Sequence, residues 1–117
     1  VPRASRGTAG ESGRMKYEIY RTDKANDQLH AIIQYIAADS GSAEVALRYL
    51  EKLEKAIRSL ETSPHMGGIP RYAILKRQGY RVLIVERNLI FYKVDDEARR
   101  VVLYAVVDAR QEYVNLI

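Results

Sequence analysis

The chain has no cysteine, no tryptophan and a single phenylalanine, and only two histidines and three prolines in 117 residues. Without thiols it can hold neither a disulfide framework nor a thiolate metal centre. His30 and His65 lie far apart in the sequence, so a histidine metal site is not expected either. No apolar run approaches the roughly 18 residues that a membrane-spanning helix needs, and no segment reads as a signal peptide. These absences predict a soluble, cytoplasmic protein that works without a metal or other cofactor.

What remains is a short chain with room for one domain. The opening VPRASRGTAGESGR is rich in Gly, Ser and Arg and has no apolar periodicity. It is predicted to be a disordered leader left by an expression vector, with residues 15–117 as the single domain. The leader carries +2 of the formal net charge of +4. Within the domain, the stretch from Tyr17 to Glu61 has a net charge of −2, and the stretch from Arg71 to Arg110 has +4. Such a distribution offers one basic surface to an anionic partner.

Residues 15–21 (MKYEIYR) alternate as a half-buried strand does. Thr22 or Asp23 is a natural cap for a helix over 24–38, whose apolar positions are Ala25, Leu29, Ile32, Ile33 and Ile36. Gly41 interrupts that pattern and Ser42 can cap a second helix, with the stripe Ala46, Leu47, Leu50, Leu53, Ile57, Leu60. Glu51–Lys55 and Glu54–Arg58 are spaced as i,i+4 ion pairs. Residues 62–70 (TSPHMGGIP) form the main irregular segment. Three strands follow, over 80–86, 89–94 and 100–107, joined by tight turns at 86–88 and 95–98. The tail, 108–117, suits a short helix or a strand extension. The predicted fold is α+β: two layers in β-α-α-β-β-β order, a helical hairpin packed on a twisted antiparallel sheet whose other face stays partly open.

Chemistry-bearing residues are few. There is no nucleophile elbow, and His30 borders the apolar stripe of its helix, which makes it a surface residue. His65 sits in the irregular loop and is the better candidate of the two. Gly67-Gly68 precedes no Lys-Ser/Thr and no helix, so it is a turn and not a phosphate loop. Asp95, Asp96 and Glu97 are explained by their turn. Arg71, Lys76, Arg77, Arg81, Arg87 and Arg110 are the candidates for a target-binding surface, with Tyr72, Tyr80 and Tyr113 as stacking platforms. The bland reading of the same cations is solvated strand faces and protected edges.

The ordered set of strand, helix pair, Pro64-His65-Met66-Gly67, Gly79-Tyr80-Arg81, LIFYKV (89–94) and Ala109-Arg110-Gln111 resembles the RelE/ParE superfamily of type II toxin–antitoxin toxins. The resemblance spans 15–117. It implies a toxin held inactive by an antitoxin draped over its helices and sheet. RelE-like members cut messenger RNA on the ribosome; ParE-like members are implicated in poisoning DNA gyrase. On the nuclease branch, Arg81, Arg110 and Tyr113 would be the catalytic residues. However, Leu89 stands where that branch usually has an arginine, and Val82–Val85 lack its lysines. Such a site would be short of a general base and of charge stabilisation. The resemblance therefore points to the ParE-like branch, with gyrase and a cognate antitoxin as partners. The ribosome with mRNA is the alternative target, and a member that only binds its antitoxin is a further one.

Overall fold

A computed structural model describes residues 16–117; the predicted leader lies outside the described residues. The elements are β1 (Glu18–Arg21), α1 (Asp23–Ser40), α2 (Ala43–Ser59), α3 (Ala73–Arg77), β2 (Arg81–Val85), β3 (Asn88–Asp95) and β4 (Arg100–Asp108), followed by a 3-10 turn at Val114–Leu116. The sheet order is β1-β4-β3-β2. As expected, β2, β3 and β4 are antiparallel neighbours. β1 joins β4 in parallel and makes the sheet mixed, because the helical hairpin between them carries the chain back across one face.

Local chemistry sets the helix ends. The Thr22 hydroxyl accepts from the Ala25 amide at 3.1 Å, and the Ser42 hydroxyl accepts from the Val45 amide at 3.2 Å; both satisfy amides that a helix start leaves unpaired. Gly41 closes α1 with φ = 71° and donates to the Ala37 carbonyl, a left-handed cap that glycine adopts without strain.

The face of the sheet under the hairpin holds the main core: Leu29, Leu53, Ile57 and Leu60 meet Leu83, Ile90, Tyr92 and Leu103. Full burial of each such aliphatic side chain stabilises the fold by about 1.5–3 kcal/mol. Leu47 departs from the predicted stripe and is 57 % exposed, because it lies roughly 100° round the helix from Ala46, which with Leu53 and Ile57 marks the buried face. The expected Glu54–Arg58 pair is replaced as well. Glu54 turns inward to a bidentate ion pair with Arg21 of β1, a half-buried partner with better geometry than an exposed one a turn away.

The opposite face is only half open. α3, which the sequence patterns did not predict, and the tail cover one end with a second core of Leu75, Val82, Leu89, Phe91, Val107 and Tyr113. Between the layers, the loop before α3 is tied to the edge strand. Gly68 and Val82 exchange both backbone hydrogen bonds, at 2.8 and 3.0 Å. The buried Tyr92 hydroxyl donates to the Pro64 carbonyl at 2.8 Å and accepts from the Gly67 amide at 2.9 Å.

Candidate target-binding surface

Each predicted cation now has a place. Arg81 opens β2 beside the Tyr92 knot. Its Nη1 donates to the carbonyls of His65 at 3.2 Å and Gly67 at 3.1 Å, so this half-buried guanidinium holds the loop. Arg110 follows β4 and closes a fork on Asp108, through Nε at 3.1 Å and Nη2 at 2.8 Å. Its backbone amide donates to the same carboxylate at 2.8 Å. These hydrogen bonds outweigh partial burial and hold the Asp108 carboxyl down at about 2. Arg87, exposed in the β2–β3 turn, presents its carbonyl to the Ala109 amide at 2.8 Å. That contact sets the turn beside Asp108 and Arg110. Arg71 stands 5.3 Å over the Tyr72 ring, and Lys76 and Arg77 form the exposed last turn of α3.

The aromatic residues fall out differently from expectation. Tyr113 is 5 % exposed, with its ring 5.5 Å from Phe91 and 5.4 Å from Tyr72. It is a core residue and offers no stacking face, because the apolar sheet surface around Phe91 needs a cover. Tyr72 is half-buried against it. Tyr80 packs on Phe91 and Tyr104 at 6.4 and 5.4 Å.

Arg71, Lys76 and Arg77 lie on and just before α3, and Arg87 and Arg110 flank the contact between the β2–β3 turn and Ala109. Arg81 opens β2. It lies opposite Tyr92, while Arg110 follows Asp108, the partner of Asn88. Four residues of strand rise separate the two positions, about 13 Å. Arg81, Arg110 and Tyr113 thus share no common site. Leu89 is buried in the second core.

His65 gains partners that its sequence neighbours do not announce. Its Nε2 lies 3.1–3.2 Å from the Asp96 carboxylate, which also accepts from the Tyr17 hydroxyl at 2.6 Å. The Tyr17 bond, more than the imidazole, lowers the Asp96 carboxyl below its ordinary range and raises the Tyr17 phenol. His30 is exposed on α1, as predicted. Among the described residues, no three His, Cys, Asp or Glu side chains are arranged to hold a metal ion, and no helix is long and apolar enough to cross a membrane.

Lys93, Tyr104, Tyr20 and Arg100 lie on the sheet face away from the helices, outside the residues singled out in the sequence. Alternation along the strands was the available signal, since it places Lys93 on the face away from the helices. Tyr104 follows Val102 onto that face by alternation, and the β4 bulge, where Phe91 pairs with Ala105 and Tyr92 with Leu103, leaves it without a strand partner.

The family model for the ParE toxin of the type II toxin–antitoxin system parDE matches residues 19–113. Among solved structures, a chain of the chromosomal ParDE toxin–antitoxin system from P. aeruginosa superposes with a TM-score of 0.67 at 18 % identity, covering 80 % of this chain and 97 % of the other. A chain of the toxin–antitoxin complex RelBE2 from Mycobacterium tuberculosis gives a TM-score of 0.54 at 21 % identity, covering 80 % and 92 %. No curated protein matches the chain by sequence. The fold is thus that of the RelE/ParE superfamily, and the match over 19–113 makes this chain a member of the ParE toxin family of type II toxin–antitoxin systems.

Proposed function

We propose that the protein arrests growth by binding DNA gyrase, without a catalytic step of its own, and that a cognate antitoxin neutralises it. The observation that carries this reading is what occupies the region where a nuclease centre would have to form. Leu89 and Tyr113 are buried in the second core, Arg110 is held in a fork on Asp108, and Arg81 is tied to two loop carbonyls. Stabilising a phosphoryl transition state takes converging donors and a base within hydrogen-bond reach. These three residues do not converge.

The exposed cations Arg71, Lys76, Arg77 and Arg87, with the Arg110 fork beside them, form the docking surface for the acidic target. The antitoxin covers apolar surface left by the hairpin and the sheet edge, where Tyr35, Leu47 and Ile84 are exposed.

Induced expression in bacteria, with protein and DNA synthesis pulse-labelled in parallel, tests the proposal together with supercoiling by purified gyrase. DNA synthesis should stop first, and supercoiling should be inhibited. Translation stopping first, with messages cut inside codons, would sink the gyrase reading and restore the ribosome-dependent nuclease. Unimpaired growth alongside intact antitoxin binding would leave the inert member as the answer.

A further inference from the structure

The end of the sheet that α3 and the tail leave uncovered carries a second constellation. Register sets Tyr20 of β1 beside Val102 of β4, and Val102 beside Lys93 of β3. Tyr80 completes this row, its ring centroid 4.6 Å from the Lys93 ammonium, and the bulge residue Tyr104 adds a second ring at 5.3 Å. Among the described residues, no carboxylate lies within 4.0 Å of that ammonium. A half-buried ammonium held by two ring faces, with no counter-ion, keeps its attraction for an anion that a ligand brings. Arg100, one row further along β4, stands 5.0 Å over the Tyr20 ring and has no ion pair among the described residues. An open cleft of about 520 Å³ runs here, with Val102 among its lining residues.

Charge decides what fits. Glu18 and Asp95 share the row of Arg100, and Asp96 and Glu97 line the same cleft. A polyphosphate chain laid across the face would be drawn by two cations and opposed by four carboxylates. A protein segment has no such conflict. Its carboxylate can meet Lys93 and Arg100, an adjacent apolar side chain can lie on Val102 between the tyrosines, and a following basic residue can meet the carboxylates. We infer that the Tyr20–Val102–Lys93–Tyr80 row is a peptide-binding site for an extended segment of a partner protein, with an acidic residue next to an apolar one and a basic residue close behind. The inference is independent of the gyrase reading, since it concerns a different end of the sheet.

Selection of random displayed peptides against the folded protein tests it. The enriched peptides are synthesised and titrated by fluorescence anisotropy against the wild type, Lys93→Met and Lys93→Arg, with a fluorescent oligothymidylate as the polyanion. The enriched sequences should share an acidic–apolar pair. They should bind Lys93→Met roughly tenfold or more weakly and Lys93→Arg nearly as well as the wild type, while any oligothymidylate binding should be indifferent to position 93. Absence of the acidic–apolar pattern, peptide binding unchanged in Lys93→Met, or oligothymidylate binding lost in that variant would each overturn the inference. Should Lys93→Met fail to fold, Arg100→Met takes its place, with the same loss of peptide binding expected and retained binding counting against the site.

Discussion

Gly67 is the residue whose side chain cannot be lengthened. A Cβ there would stand 2.5 Å from the Tyr92 hydroxyl and 2.8 Å from the Val82 carbonyl oxygen, and the second of these is backbone that cannot swing away. Gly67→Ala should lower the stability by about 2 kcal/mol or more in denaturant unfolding. Tyr92→Phe keeps the ring but strands the Gly67 amide and the Pro64 carbonyl, which should cost about 1–3 kcal/mol in the same measurement. Asp108 gives a pH signature. Its carboxyl is depressed in the fold to about 2, so the stability it contributes is present above its ordinary value and is lost as pH falls through the folded one. Between about pH 4 and pH 2 the wild type should lose Tm more steeply than Asp108→Asn, and the two curves should converge at the acid end. Parallel curves would mean that the Arg110 fork contributes nothing to folding.

At the scale of elements, the helices separate the part of their apolar stripe that packs from the part that does not. Leu53 is fully buried beneath α2 and Leu47 is largely exposed on the same helix. Leu53→Ala should cost about 2–5 kcal/mol, whereas Leu47→Ser should stay within about 0.5 kcal/mol; thermal melts of the two variants check this contrast. The tail is an element of the core and not an appendage. Lys24 and Gln28 of α1 donate to the carbonyls of Ile117 and Leu116 at 2.8 and 3.1 Å, and Tyr113 fills the second core. Truncation after Asp108 should therefore lower the Tm and expose apolar surface to a hydrophobic dye. Loss of toxicity in such a truncation would report unfolding as much as loss of a contact. Arg110→Ala with Gln111→Ala, which leaves Tyr113 in place, separates the two.

At the scale of the whole molecule, the exposed cations of α3 are where the proposed docking surface can be tested. On the gyrase reading, Lys76→Glu with Arg77→Glu should weaken supercoiling inhibition and its dependence on ionic strength while leaving the melting temperature nearly unchanged. The order of elements, the two helix caps and the three antiparallel strands could be read along the chain, because capping hydroxyls, a left-handed glycine and residue alternation act over a few positions. The ordered motifs were enough to indicate the family. Five-residue α3 escaped, since it is too short to show a period. Leu47 and Glu54 were misplaced because the helix pattern does not say how wide a stripe is covered or which strand residue waits beneath it. By itself, then, the sequence determined which residues alternate, cap and turn. Only the tertiary structure decided that Tyr113 is core, that Arg81 ties a loop while Arg110 pairs with Asp108, and that Lys93 lies against two tyrosine rings, because burial and pairing are set by neighbours the chain meets only when folded.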